Sequence, residues 1–189
     1  AGLNYEPINV KETSTYILAL AFGFIFPIGI IGIFTLLDKR IKDLMELEKE
    51  LIVPLLGKIA RNKTNTSLAV FTEPRSAIAE TFRSLKTNIS FVLPPDKQIT
   101  LAISSTVSGE GKTFTAINLG AVYSLNQKKT VLISCDMFKV DSFTDFELKN
   151  SKGLSNYLCK QIEKVEDIIQ PTIYPFFDII VAGSTPPNP

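Results

Sequence analysis

The residues best suited to chemistry lie in the run Ser104-Ser105-Thr106-Val107-Ser108-Gly109-Glu110-Gly111-Lys112-Thr113. Two glycines let the backbone wrap an anion closely, the loop N–H groups offer donors, Lys112 brings a mobile positive charge, and the Thr113 hydroxyl can hold Mg²⁺. Those are the needs of ATP, with Ser108, Gly109, Glu110, Gly111, Lys112, Thr113 and Phe114 as the candidate binding run and Lys112 aimed at the β/γ-phosphates. The strict P-loop pattern places glycine six residues before the lysine, where this chain has Thr106. The bland alternative is a chance Gly-Lys-Thr. Asp136, which follows the apolar run Val131-Leu132-Ile133, is the second candidate, for Mg²⁺ and catalysis; a turn or helix-capping aspartate is its structural alternative.

A phosphate loop works only between a strand and a helix. Ile99 to Ser104 reads as a buried strand and Phe114 to Leu125 as a helix, so both flanks fall where the motif demands them. Val131 to Ile133 and Phe177 to Ala182 read as further buried strands, and residues 154 to 170 as two short helices. Upstream, Pro74 is expected to open a helix whose inward stripe is Ile78, Phe82, Leu85 and Ile89, with Pro94-Pro95 closing it. Glu80, Arg83 and Lys86 lie on other parts of that helix, and the plain reading of the trio is a solvated charged face. The predicted fold class is α/β: a P-loop NTPase-like parallel sheet with flanking helices, truncated, and preceded by one transmembrane helix.

That preceding helix is Tyr16 to Leu37, 22 residues without a charge. As a helix it would measure ~33 Å, enough for the ~30 Å hydrocarbon layer. Lys39, Arg40 and Lys42 follow it, which disfavours a cleaved signal peptide and orients the remainder to the cytoplasm. Pro27 predicts a local bend. Ile41, Leu44, Leu47 and Leu51 form an amphipathic pattern, and residues 61 to 67 are a candidate surface linker. The expected organisation is residues 1–15 outside the membrane, 16–37 across it, 38–72 as juxtamembrane helix and linker, and 73–189 as the nucleotide-binding part. The start at Ala1 and the stop at Pro189 in a loop point to a piece of a longer protein.

Composition removes other chemistries. The chain has no histidine, which disfavours most zinc sites and Ser-His-Asp hydrolysis. A net charge of +1 gives no case for nucleic acid. Cys135 and Cys159 match no metal or redox spacing and are expected to be small buried residues in a reducing compartment.

In this order along the chain, the features resemble the bacterial tyrosine kinase family, the membrane-anchored autokinases of capsule and exopolysaccharide assembly. Glu73-Pro74-Arg75-Ser76 leading into Glu80-Thr81-Phe82-Arg83-Ser84-Leu85-Lys86 is similar to the family's oligomerisation helix, and Ser108 to Thr113 to its phosphate loop. Gly153 to Leu158, and Ala182-Gly183 through Pro186 to Pro189, are similar to two further segments. The resemblance implies an ATP- and Mg²⁺-dependent protein-tyrosine autokinase of the bacterial inner membrane, with its kinase domain in the cytoplasm. It implies Asp136 as the second acidic residue of the family's extra Walker motif, and Glu80, Arg83 and Lys86 as contacts between subunits of a homo-oligomeric ring. Partners implied are the polysaccharide export machinery and a cognate tyrosine phosphatase. Ser134 stands where many members carry the first aspartate of that motif, Phe138 where arginine is usual, and Lys86 where the helix motif usually ends in arginine. The family's later aspartate and terminal tyrosine cluster have no counterpart in these 189 residues, so this stretch alone is expected to be inactive. Two alternatives stay open: a catalytically weak chain-length co-polymerase that binds ATP, and a partition or septum-site type ATPase, disfavoured by Val107 where that type has lysine.

Overall fold

The computed structural model describes residues 12–37, 52–62, 66–94, 98–137 and 143–184. The basic cluster Lys39, Arg40 and Lys42, the amphipathic run over 39–51, Pro95, Phe138 and Pro186 to Pro189 lie outside the described residues. Contacts divide the chain into two compact units, Ala1–Leu55 and Leu56–Pro189.

In the first unit, helix α1 spans Glu12–Leu37, starting four residues before the uncharged run. It is apolar all round, and its side chains from Thr13 onward are exposed, as suits a helix solvated by something other than water. By length and composition it can cross a membrane. Pro27 sits inside it and leaves the Gly23 carbonyl without its usual donor. Thr35 Oγ1 donates to the Ile31 carbonyl at 2.8 Å, a bond that keeps a hydroxyl satisfied within the helix itself.

The second unit is built from α2 (Ala69–Thr72), α3 (Ala77–Val92), α4 (Lys112–Leu125), β1 (Thr130–Ile133), α5 (Leu154–Leu158), β2 (Gln170–Pro171) and β3 (Phe177–Ile180), with short 3-10 turns at Thr144–Phe146 and Val165–Ile168. Helix α3 does not open at Pro74. Ser76 is its N-cap, with Oγ accepting from Ala79 N at 3.2 Å, because a hydroxyl satisfies one of the four orphan N–H groups and Pro74 lies two residues too early to do so. The helix ends at Val92 with Leu93 extended before Pro94, the conformation a following proline favours. Ile78, Phe82 and Ile89 are buried and Leu85 packs beside them, so the predicted stripe is the inward one.

Helices α2, α3 and α4 share one apolar cluster that includes Val70, Phe82, Leu119 and Val122. Full burial of a side chain such as Phe82 contributes about 1.5–3 kcal/mol. A second cluster forms around Phe177, Ile179 and Val181. Phe71 packs against both, and its ring stacks on Tyr174 with centroids 3.7 Å apart.

The sheet order is β1-β3-β2, with β1 parallel to β3 (Thr130 opposite Phe177, Ile133 opposite Ile180) and β2 antiparallel at the other edge. Helix α4 lies on the face that carries Thr130 and Phe177. It comes so close that a Cβ on Gly120 would stand 2.6 Å from Phe177 Cε2 and 3.5 Å from Thr130 Cγ2. Val131 and Ile133 point to the opposite face and remain 44% and 49% exposed.

Two expectations are corrected. Ile99 to Ser104 joins no strand among the described residues, and Ile99 and Leu101 are exposed. An apolar run shows that a segment suits a sheet, whereas pairing depends on a distant edge that the run itself does not encode. Cys135 and Cys159 are free thiols but exposed, not buried. Cys135 stands in irregular backbone after β1 and Cys159 caps the C-terminus of α5, so neither is on an inward face.

Candidate functional site

The loop runs from Ser105 to Gly111 and delivers the chain into α4, of which Gly111 is the N-cap. Gly109 and Gly111 have φ of +90° and +91°. Nothing lies within 4 Å of a Cβ built on either, so glycine is needed there for backbone conformation and not for room. Helix α4 has 14 residues, long enough for a developed dipole, and its first N–H groups open towards the loop.

Inside the loop several polar groups bond one another. Lys112 Nζ donates to Ser105 Oγ at 2.8 Å, and Ser105 Oγ donates to the Val107 carbonyl at 2.8 Å. One carboxylate oxygen of Glu110 accepts from Thr106 N at 3.1 Å and from Val107 N at 3.5 Å. Thr106, standing where the strict motif has glycine, thus contributes a backbone donor. Lys112, Thr113 and Phe114 are half-buried, whereas residues 106 to 110 are exposed.

The helix behind the loop is anchored from two sides. Phe114 meets the Phe82 ring edge-on with centroids 5.8 Å apart, which joins the first turn of α4 to α3. Asn118 is fully buried: its Nδ2 donates to the Ser67 carbonyl at 2.7 Å and to the Phe114 carbonyl at 2.8 Å, and its Oδ1 accepts from Val70 N at 2.8 Å. Ser67 is held in turn by Asp145, whose carboxylate accepts from both its N–H and its hydroxyl. Sequence reasoning missed Asn118. A lone amide within the apolar face of a predicted helix was the available signal, since buried polar groups require partners.

Ser134 continues β1, buried, with its N–H donating to the Ile180 carbonyl at 2.9 Å. Asp136 follows two residues later, exposed, beyond the C-terminal end of β1. Among the described residues no group of three or more carboxylates and thiols gathers as a metal cage. Thr113 and Asp136 offer a hydroxyl and a carboxylate. Hard oxygen donors of that kind, few in number, fit Mg²⁺, which usually takes one or two protein ligands with phosphate and water completing its shell.

On α3, Arg83 Nη1 bonds Glu80 Oε2 at 2.8 Å and its other nitrogen reaches the Pro74 carbonyl. Lys86 does not join them. Its ammonium lies 5.8 Å from the centroid of the Tyr123 ring on α4. The Tyr123 hydroxyl is buried without a hydrogen-bond partner among the described residues, and burial raises its pKa. An open groove of about 410 Å³ runs along the same helix, past Glu80, Thr81 and Ser84, beside Gly57 and Lys58.

Two segments singled out in the sequence come together. Leu154 N donates to the Val181 carbonyl and Ser155 N to the Ala182 carbonyl, each at 2.9 Å, and Ser155 Oγ donates to the Ser184 carbonyl at 2.6 Å. Helix α5 is thereby clasped to the exit of β3.

No family model matches the chain. It is 34% identical over 134 residues to the tyrosine-protein kinase YwqD of Bacillus subtilis, covering 71% of this chain and 56% of that protein. It is 24% identical over 205 residues to the tyrosine-protein kinase etk of Escherichia coli, covering 97% of this chain and 28% of that protein. The chain therefore spans little more than half of the first relative and under a third of the second. Among solved structures, the kinase domain of the Escherichia coli tyrosine kinase ETK superposes with a TM-score of 0.66 at 26% identity, covering 79% of this chain and 62% of that one.

Proposed function

From the membership of this chain in the bacterial tyrosine kinase family, we propose that the whole protein is an ATP-dependent protein-tyrosine autokinase acting in capsule or exopolysaccharide polymerisation and export. The observation that carries the reading is the loop at the head of α4: two left-handed glycines followed by a half-buried lysine and a threonine hydroxyl. In this role the loop amides and Lys112 grip the phosphates of ATP, and Thr113 and Asp136 ligate Mg²⁺, which neutralises phosphate charge when bound. The tyrosine oxygen forms a bond to the γ-phosphorus as the bond to the β,γ-bridging oxygen breaks, releasing ADP and the phenolic proton.

Helix α1, followed by Lys39, Arg40 and Lys42, supports an inner-membrane anchor with residues 38 onward in the cytoplasm: 38–72 as juxtamembrane segment and 73–189 as part of the kinase domain. Glu80, Arg83 and Lys86 are proposed to meet a neighbouring subunit in a homo-oligomeric ring, with the export machinery and a tyrosine phosphatase as further partners. The test is incubation of the full-length protein with ATP and Mg²⁺ followed by phosphotyrosine blotting. The wild type is expected to label and Lys112→Ala to lose both label and nucleotide affinity; unaltered labelling in that variant would overturn the reading. Ser134, a buried serine in place of a carboxylate, favours a second reading as an ATP-binding co-polymerase with little kinase activity. ATP binding without phosphotyrosine would select it.

A further inference from the structure

We propose that the carboxylate of Glu110 is a built-in rival of the nucleotide's phosphates, setting how tightly the loop holds them; this rests on the loop being the nucleotide site. Glu110 sits between the two left-handed glycines, and its side chain turns back over the loop to take the N–H groups of Thr106 and Val107 on one oxygen. Those amides belong to the backbone that must wrap the anion. A carboxylate and a phosphate are acceptors of the same kind and compete for the same donors and the same positive helix end. Lys112 is engaged by Ser105 in the same ring of bonds, and Ser105 by the Val107 carbonyl, so a neutral hydroxyl holds the cation and a negative carboxylate holds the amides. The two are unequal obstacles. Ser105 yields Lys112 to a phosphate with a net gain of charge pairing, whereas Glu110 must leave or stand beside the entering phosphates as a like charge.

Glu110 is exposed, so it can swing into water without uncovering any core. Its removal is therefore expected to change affinity and not folding. A bracing role, in which the carboxylate holds the loop ready for phosphate, predicts the opposite sign.

The experiment is calorimetric titration of the whole chain in detergent with MgATP, MgADP and inorganic tripolyphosphate, for the wild type, Glu110→Gln, Glu110→Ala and Lys112→Ala. Rivalry predicts that both Glu110 variants bind all three ligands about tenfold more tightly, the effect of removing one like-charge competitor of roughly 1.4 kcal/mol. Tripolyphosphate separates loop contacts from base or ribose contacts, since it presents phosphate alone. Equal or weaker binding in both Glu110 variants, with Lys112→Ala weakened as a phosphate-loop lysine should be, would overturn the rivalry and leave the nucleotide site standing. Lys112→Ala binding like the wild type would overturn the nucleotide reading and the rivalry with it.

Discussion

Asn118 accepts a hydrogen bond from Val70 N at 2.8 Å across 48 residues of sequence, and with its other end holds the Ser67 carbonyl. One buried amide therefore fixes α2 and the residues just before it to the middle of α4, the helix that follows the glycine loop. Asn118→Ala leaves Val70 N and the Ser67 carbonyl without partners in a dry site. A loss of about 2–4 kcal/mol is expected in urea unfolding, from two or three lost bonds and the stranded groups. Asn118→Asp should cost at least as much: it keeps the acceptor for Val70 N, but it loses both donors and sets a buried carboxylate against the Ser67 and Phe114 carbonyls.

Gly120 against Phe177 predicts a size threshold. Gly120→Ala drives a methyl into a fully buried ring and is expected to destabilise by about 1–3 kcal/mol. Phe177→Leu in the same background should recover part of that loss, although alone it destabilises. Denaturant midpoints of the two single variants and the double variant read the coupling directly.

The phenol of Tyr123 is pushed above its ordinary 10.0 by burial. The folded chain then holds this proton more tightly than the unfolded chain, so its contribution is complete below about pH 10 and is lost as the pH rises through the folded value. Tyr123→Phe should flatten that alkaline fall. It should also raise stability at neutral pH by about 1 kcal/mol, since it removes a buried hydroxyl that bonds nothing among the described residues. Melting curves from pH 8 to 11 test both statements.

Gly109 and Gly111 hold a backbone that other residues adopt only under strain. Gly109→Ala and Gly111→Ala are each expected to cost about 1–2 kcal/mol of local conformation. Most of the cost should appear as weaker nucleotide binding and little as lower melting temperature, because the loop is exposed. Calorimetry and melting of the same samples separate the two.

The Glu80 and Arg83 side chains are 67% and 41% exposed. Breaking their pair with Glu80→Ala is expected to change stability by less than about 1 kcal/mol, the ordinary worth of a surface ion pair. If these residues serve a subunit contact, the same variant lowers the assembled fraction in sedimentation while leaving the melting temperature in place.

What could be read in advance was local. The 3-4 spacing of Ile78, Phe82, Leu85 and Ile89 gave the inward face of α3, and the apolar runs around Leu132 and Ile179 gave strands that do pair. Gly109 and Gly111, conspicuous in the sequence, take φ of +90° and +91°, a conformation that favours glycine. What could not be read was relational. The run Ile99 to Ser104 has strand composition but no partner edge among the described residues, and Glu110 in the sequence gave no sign that its own carboxylate would take the amides of the loop. Asn118 was passed over because the three groups it joins lie far apart along the chain or on its own backbone.

Phe71, which touches both apolar clusters and stacks on Tyr174, has a bearing on how the second unit comes apart. A four-residue helix is too short to persist alone, so Phe71 keeps its place only while both neighbours stand. Melting on either side removes a wall from the other, and calorimetric and van't Hoff enthalpies for residues 56–189 should then agree, the mark of a single cooperative transition.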